Sequence, residues 1–371
     1  MPEEVPMERP KRLLSIDGGG IRGVIAAEVL VKIEKILLSL NPAWKCLGDY
    51  FDFIGGTSTG AILAAGLTKG MKAGELLDFY VKKGPLVFTQ SRLSRIPLIG
   101  RLWTKYEAGP LEKELREIFS YPDSRPIRLG FPEKRSLLMI VSKNATSGDT
   151  WFFVNAKNSK FYKKNAQLPL WQLIRASSAA PTYFPPQTLR VDDKKYEFID
   201  GGMSSYNNPS FQLFLEATQP DYGFGWPSGE NDMLMISVGT GFSTEKISYP
   251  KAKRFNALSW APYAIDSIME SANLQQNTLM HLMSGHSSKA DTDYISRYIP
   301  QGFKPMLKYH RYTVSFTEER FRELGLGDIA PAKVQTLDCV DQIPALRRIG
   351  KAIAKEQVHK EDFAGFLDHD E

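Results

Sequence analysis

DYFDFIGGTSTGAILAAGL, residues Asp49–Leu67, runs from an aromatic strand through a glycine turn into an apolar helix without a break. We predict the strand over Asp49–Ile54. The same order occurs earlier, where a predicted strand at Lys11–Asp17 is followed by the turn Gly18–Gly23 and a helix over Val24–Leu40. Two strand–turn–helix units in succession are typical of a domain with a mainly parallel sheet. The sequence therefore predicts a three-layer α/β/α fold.

The rest of the chain divides into two parts by its hydrophobic patterning. Strands and helices are predicted from periodicity over Ser136–Lys143, Leu168–Ser178, Tyr196–Asp200, Met233–Val238, Ala257–Leu282 and Val340–Phe366, the second and the last two of these being helical. Strand signals become sparse after about residue 242. We therefore expect a catalytic core over residues 12–241 and a mainly helical C-terminal extension over residues 242–371, packed on the core.

Composition excludes several classes of protein. The 371 residues carry 47 Lys and Arg against 42 Asp and Glu, a formal charge of +5, and 42% are hydrophobic. These values suit a soluble globular chain and exclude wholesale disorder. The two cysteines, Cys46 and Cys339, are too few and too far apart for a disulfide framework or a cysteine-ligated zinc site. We expect no metal and no cofactor, no DNA or RNA partner, and a cytoplasmic location, since no secretory signal or spanning helix is recognisable.

The turn of the quoted stretch, Gly56–Gly60, satisfies the pattern G-x-S-x-G. Between a strand and a helix, this pattern is typical of a nucleophile elbow, in which a sharp turn presents a serine. Gly56, Thr59 and Gly60 would keep the surroundings of Ser58 uncrowded. The alternative is a tight connection in which Ser58 only caps the helix.

The turn Gly18–Gly23 allows two functional interpretations. It matches the dinucleotide-binding pattern G-x-G-x-x-G, but that site needs an acidic residue at the end of the next strand, where this sequence has Ile54 followed by glycine. In the second interpretation, the N–H groups of Gly18, Gly19 and Gly20 form an oxyanion hole for a reaction at Ser58, with Arg22 supporting the loop or meeting a substrate phosphate. A glycine turn with no binding or catalytic role is a third alternative.

A serine nucleophile needs a base, and the sequence offers two kinds. Asp200 ends a predicted strand and precedes Gly201 and Gly202. The five histidines all lie further along the chain, and His281 or His286 could serve in a Ser–Asp–His order. Because no histidine lies in a recognisable motif, a two-residue site of Ser58 and Asp200 is preferred. Such a site needs a desolvated or very well placed Asp200.

Three motifs in this order resemble the patatin-like phospholipase family: Asp17–Gly23 (DGGGIRG), Gly56–Gly60 (GTSTG) and Asp200–Gly202 (DGG). Ala176–Phe184 (ASSAAPTYF) also resembles the segment that often precedes the aspartate in that family. The resemblance spans about residues 12–241.

The resemblance implies a patatin-like fold and a metal-free lipid acyl hydrolase that cleaves carboxylic esters of membrane phospholipids or other glycerolipids. It implies Ser58 as nucleophile and Asp200 as proton acceptor. Gly18, Gly19 and Gly20 would be oxyanion donors and Arg22 their support, with Gly23 completing the motif. The alternatives are a nucleotide-binding module and a non-enzymatic member of the family.

Two further segments bear on partners. Lys82–Lys105 carries six basic residues, no acidic residue and many bulky apolar ones, which suits a membrane-facing surface or lid; a long loop packed on the core is the alternative. Tyr294–Tyr312 contains basic and aromatic residues (Arg297, Tyr298, Lys304, Lys308, Tyr309 and Arg311). Because some bacterial relatives are anti-phage effectors switched on by cyclic nucleotides, this segment could bind such an activator. Helices that only cover the core or form a homo-oligomer are the other account of the C-terminal part.

Overall fold

The computed structural model describes residues 9–88, 104–243, 250, 253–255, 257–285, 299 and 302–368. Most of the basic segment Lys82–Lys105 (residues 89–103) lies outside the described residues, as do His286, Arg297 and Tyr298. No helix among the described residues is long and apolar enough to cross a membrane.

Strands and helices alternate along the first two thirds of the chain. The strands are β1 (Lys11–Ile16), β2 (Phe53–Thr57), β3 (Leu137–Asn144), β4 (Thr150–Val154), β5 (Gln187–Val191), β6 (Lys194–Asp200), β7 (Met233–Val238) and β8 (Lys308–Tyr312). The helices are α1 (Gly23–Leu40), α2 (Leu47–Tyr50), α3 (Thr59–Lys69), α4 (Ala73–Val87), α5 (Ala108–Ile118), α6 (Tyr162–Asn165), α7 (Leu170–Ser177), α8 (Ser210–Thr218), α9 (Ala257–Ser284), α10 (Glu318–Glu323), α11 (Pro331–Val334) and α12 (Ile343–Gln357).

The strands form one mixed sheet in the order β5-β6-β3-β2-β1-β7-β8, with β4 also paired to β3. Five neighbouring strands, β3, β2, β1, β7 and β8, are mutually parallel. Strands β4 and β6 run antiparallel to β3. Ile16, the last residue of β1, pairs with Gly56 of β2 and Val238 of β7. The turns that follow these three strands therefore meet at one edge, where open α/β sheets bind their ligands.

Apolar side chains cover both faces of the sheet. One buried cluster joins the sheet to α1, α3, α4, α7 and α12, and a second lies between the sheet and α8. The predicted three-layer architecture with a mainly parallel sheet is confirmed. The two glycine turns, Gly18–Gly23 and Gly56–Gly60, therefore lie at the ends of two central sheet strands, β1 and β2.

The strand predicted over Asp49–Ile54 is wrong in its first half. Leu47–Tyr50 forms a helical turn instead, because the Asp49 carboxylate accepts hydrogen bonds from the N–H groups of Lys45 and Cys46, at 2.8 and 3.2 Å. Asp49 thus satisfies donors at the start of α2 and competes with an extended backbone. The strand β2 begins only at Phe53.

The C-terminal part contributes to the sheet as well as covering it. β8 pairs in parallel with β7, from Lys308 opposite Leu234 to Tyr312 opposite Val238, although no strand was predicted there. Helix α12 packs along α1 on one face. The predicted helices after residue 242 are present as α9 and α12. The division of the chain at residue 241 stays a prediction.

Candidate active site

Ser58 lies between β2 and α3 in a backbone conformation that L-residues rarely adopt, with φ 54° and ψ −121°. Its side chain is 7% exposed. The turn is tight: a Cβ placed on Gly56 would lie 2.1 Å from the Gly60 carbonyl oxygen, and one on Gly60 would lie 2.1 Å from that of Ile16. Only glycine fits at these two positions, and their packing holds Ser58 in its strained geometry. This arrangement is that of a nucleophile elbow.

Asp200, at the end of β6, lies directly beside this serine. Ser58 Oγ donates a hydrogen bond of 2.6 Å to Asp200 Oδ2, and the Gly202 N–H donates one of 2.7 Å to Asp200 Oδ1. The carboxyl group is 3% exposed, and loss of solvation raises its pKa to about 6, although the bonds from Ser58 and Gly202 and the charge of Arg175 lower it. At neutral pH Asp200 is therefore mostly ionised yet more basic than an ordinary aspartate, which suits a proton acceptor.

Ser177, the last residue of α7, fixes the backbone of Ser58. Its Oγ accepts the Ser58 N–H at 2.8 Å and donates to the Val141 carbonyl at 2.5 Å. Sequence reasoning did not assign this residue a role. Its position in the ASSAAPTYF segment was the available signal, since that segment precedes the aspartate strand and must pass close to β3 and β6.

The first glycine turn supplies two candidate oxyanion donors rather than three. The Gly18 N–H donates to the Asn207 carbonyl at 3.1 Å, and the Gly18 carbonyl accepts from Thr240 Oγ1 at 2.7 Å, so Gly18 is engaged within the fold. Among the described residues, nothing accepts the N–H groups of Gly19 and Gly20. Gly20 has φ +57° and lines the same pocket as Ser58, so this turn lies close to the Ser58 hydroxyl.

The C-terminal part holds this turn in place. The Ile21 N–H donates to the Leu337 carbonyl at 2.8 Å, and Arg22 Nη1 donates to the Gln335 carbonyl at 2.9 Å. Burial lowers the pKa of Arg22, whose guanidinium also lies over the ring of Phe316. Ile21 and Arg22 therefore anchor the loop to Leu337 and Gln335.

Asp17, immediately before the glycines, forms a buried ion pair with Arg311 of β8. Arg311 Nη1 lies 2.8 Å from Asp17 Oδ1 and Nη2 lies 2.5 Å from Oδ2, and Nη1 also donates to Ser237 Oγ. The pKa of Asp17 is raised by burial and lowered again by Arg311. Arg311 was expected in a nucleotide-binding segment; it and the buried Tyr309 instead belong to the interior and are not available to a nucleotide.

The remaining motif residues surround the Ser58–Asp200 pair. Thr59 begins α3 and hydrogen-bonds Tyr80 through its hydroxyl at 2.5 Å, while Gly23 begins α1 against the Thr59 side chain. Gly201 and Gly202 form the first two residues of a short 3₁₀ turn after Asp200. The structure thus brings the three predicted motifs to one point.

The histidine alternative finds no support in the described part of the chain. His281 is buried in α9 and contacts the ring of Tyr309 at 5.1 Å, on the side of the sheet covered by α8 and α9. His286 lies outside the described residues. No group of three or more potential metal ligands occurs among the residues that the structure describes.

An apolar pocket opens at the Ser58–Asp200 pair. The empty space there, including open solvent at the mouth, is about 740 Å³. Four helices contribute apolar side chains to its wall, namely α3, α4, α5 and α9, through Ile62, Phe79, Val87, Leu111, Ile265 and Met269. Such a wall suits a hydrocarbon chain whose ester lies at the serine.

Comparison with known proteins agrees with this geometry. Residues 14–214 match the family described as patatin-like phospholipase. A cGAMP-activated phospholipase of Vibrio cholerae is 33% identical over 249 residues, which span 64% of this chain and 66% of that protein. A cGAMP-activated phospholipase of Escherichia coli is 29% identical over 79% of this chain and 82% of that protein. Patatin-16 of Solanum tuberosum is 28% identical, with 77% and 80% covered.

Proposed function

This chain belongs to the patatin-like phospholipase family, and we propose that Ser58 and Asp200 carry out its hydrolysis of lipid esters as a catalytic dyad. The observation that carries the proposal is the 2.6 Å hydrogen bond from Ser58 Oγ to Asp200 Oδ2 at the base of an apolar pocket. The raised pKa of Asp200 and the strained turn at Ser58 support it, because both cost stability and both favour nucleophilic attack.

The first half-reaction forms an acyl-enzyme. Ser58 Oγ attacks the ester carbonyl while its proton passes to Asp200 Oδ2. The N–H groups of Gly19 and Gly20 stabilise the negative charge on the carbonyl oxygen. The tetrahedral intermediate then collapses, the bond to the leaving alcohol breaks, and the proton on Asp200 passes to that oxygen. The products are an acylated Ser58 and the released lysolipid or alcohol.

The second half-reaction reverses these roles with water. Asp200 accepts a proton from water as the water oxygen attacks the acyl carbon, and the same glycine N–H groups stabilise the second oxyanion. Collapse breaks the bond to Ser58 Oγ, which regains its proton from Asp200. The product is a free fatty acid. One carboxylate serves both steps because it lies beside the same oxygen throughout.

We propose membrane glycerolipids as the substrates, reached peripherally from the bilayer surface. The apolar wall of the pocket favours a long acyl chain, since burying each methylene contributes about 0.8 kcal/mol. Substrates whose acyl chain is too short to fill this wall should bind more weakly.

Activation by cGAMP or a related cyclic dinucleotide is proposed from the relatives. Two of them, from Vibrio cholerae and Escherichia coli, are named for that activation. The second match covers 79% of this chain, so it extends beyond the dyad into the C-terminal part.

Hydrolysis of phospholipid vesicles, followed by mass spectrometry of the released fatty acids with and without cGAMP, tests these proposals. We expect fatty acid and lysolipid from the unaltered protein, more of both with cGAMP, and neither from Ser58→Ala. Fatty acid release that persists in Ser58→Ala would refute the dyad. Release that is equal with and without cGAMP would refute the activation and leave the dyad standing.

A further inference from the structure

Helix α9 presents apolar side chains on two different sides. Ile265 and Met269 point into the pocket that holds Ser58 and Asp200. Trp260 and Tyr263, five and two residues before Ile265, are 42% and 40% exposed. Their rings contact each other edge to face at 5.5 Å, and Phe255 contacts Trp260 in the same way at 5.1 Å. Two exposed rings and the half-buried ring of Phe255 thus form one aromatic group next to the part of α9 that lines the pocket.

Helix α4 repeats this arrangement on the pocket's other wall. Val87, the last residue of α4, and the following Phe88 line the pocket. Leu86, directly before Val87, is 53% exposed. Large exposed apolar side chains therefore stand on both helices that border the pocket. We call Leu86, Phe255, Trp260 and Tyr263 the apolar rim.

The charges near the rim favour an anionic surface. Lys253 and Arg254, both exposed, directly precede Phe255. The acidic groups of α9 close to the rim have partners: the exposed Asp266 interacts electrostatically with Arg22, and the half-buried Glu270 accepts the Ser243 N–H at 2.8 Å. Aromatic rings next to basic side chains are the combination that binds the headgroup region of an anionic bilayer.

We propose that the apolar rim is the surface by which this protein docks on an anionic lipid bilayer, with Trp260 and Tyr263 inserted at headgroup depth. The proposal rests on the proposed function, because it explains how a lipid reaches Ser58. A second copy of the chain is the less favoured occupant, since a partner seated on this rim would cover the pocket that the substrate has to enter. Docking on a bilayer instead aligns the pocket with the acyl chains.

The test compares two variants of matched exposure. Trp260→Ser/Tyr263→Ser removes the rings of the rim, and Phe161→Ser removes an aromatic side chain that is 50% exposed but lies outside the pocket and its bordering helices. Binding to vesicles of 70% phosphatidylcholine and 30% phosphatidylglycerol is measured by sedimentation, with Ser58→Ala present in every protein to prevent hydrolysis. We expect vesicle affinity to fall about tenfold or more in the double variant and to stay unchanged in Phe161→Ser.

Hydrolysis by the same variants with Ser58 restored separates this proposal from the proposed function. We expect Trp260→Ser/Tyr263→Ser to lose vesicle hydrolysis while retaining its rate on a water-soluble short-chain ester. Vesicle binding by Trp260→Ser/Tyr263→Ser that is unchanged would overturn the docking surface. If the double variant instead had a lower molar mass than the unaltered protein by light scattering, the rim would be assigned to a second copy of the chain. A soluble ester that is not cleaved even by the unaltered protein would instead overturn the proposed function.

Discussion

The carboxyl group of Asp200 is almost entirely shielded from water, and three interactions partly offset its lost solvation. It accepts two hydrogen bonds, from Ser58 Oγ and the Gly202 N–H, and lies within reach of the Arg175 charge. The compensation is incomplete, so the pKa is raised to about 6. That value leaves the group ionised at neutral pH but able to hold a proton transiently, as both half-reactions require.

The pH dependence of hydrolysis follows from this pKa. Below about pH 6 Asp200 binds a proton and can no longer accept one from Ser58, so kcat/KM for a soluble ester should fall about tenfold per pH unit on the acid side. Above about pH 7 it should be level. A steady-state pH profile checks this, and activity that stays level down to pH 4.5 would contradict the role given to Asp200.

The backbone at Ser58 stores strain, since φ there is 54° with ψ −121°. Glycine adopts such angles without a penalty, whereas alanine keeps the Cβ that causes it. Ser58→Gly and Ser58→Ala both remove the hydroxyl, so their difference isolates the backbone. We expect Ser58→Gly to be more stable than Ser58→Ala by about 1 kcal/mol in urea unfolding. Equal stabilities, or a more stable Ser58→Ala, would show that the turn is unstrained.

At the scale of single elements, hydrophobic patterning was sufficient for β1, α1, α3 and β7, because each is a run of apolar residues bounded by glycine or proline. It failed at Asp49, where a side-chain carboxylate caps a helical turn. It also missed β8, whose sequence KYHRY mixes basic and aromatic residues without a regular apolar face. Apolar patterning cannot detect either feature. The cap at Asp49 depends on polar hydrogen bonds, and β8 is held partly by an ion pair with Asp17, which is distant in sequence.

Gly60 is the point at which two strand–turn–helix units touch. A Cβ there would lie 2.1 Å from the Ile16 carbonyl, so Gly60→Ala must push α3 away from β1. We expect a loss of about 2 kcal/mol or more of unfolding free energy, together with lost hydrolysis. Gly74→Ala is the matched control, since Gly74 is in a helix with open space around its Cβ position, and it should gain up to about 1 kcal/mol. A Gly60→Ala protein as stable and active as the unaltered one would contradict this account of the turn.

Across the whole molecule, the C-terminal part completes the site that the N-terminal motifs begin. Asp17 and Arg311 are 294 residues apart in sequence and form a bidentate pair, and Leu337 and Gln335 hold Ile21 and Arg22. The two glycine turns could be predicted to meet, because the ends of parallel strands share an edge. The Asp200 motif could not be placed in that way, since β6 runs antiparallel to β3. The partners from beyond residue 300 could not, since nothing in their local sequence distinguishes a buried ion pair from a solvated charge.

Removing Arg311 should therefore disturb the molecule far more than removing a surface arginine. Arg311→Met leaves Asp17 buried without its counter-charge, and we expect a loss of about 3–5 kcal/mol in unfolding free energy. The control is Arg348→Met, which breaks an exposed pair with Asp328 and should lower the unfolding free energy far less, because water screens both charges. Chemical denaturation measures both. Equal effects of the two substitutions would mean that the C-terminal strand does not stabilise the motif that carries the oxyanion donors.

The most direct test of the Ser58–Asp200 dyad is covalent labelling with a fluorophosphonate probe, with the adduct located by peptide mass spectrometry. The probe reacts with a serine that is activated as a nucleophile. We predict one adduct, on Ser58, absent from Ser58→Ala and slowed at least about a hundredfold in Asp200→Asn, which keeps the shape of the carboxyl group but not its basicity. An adduct on another residue, or one formed on Ser58 at the same rate in Asp200→Asn, would contradict the dyad.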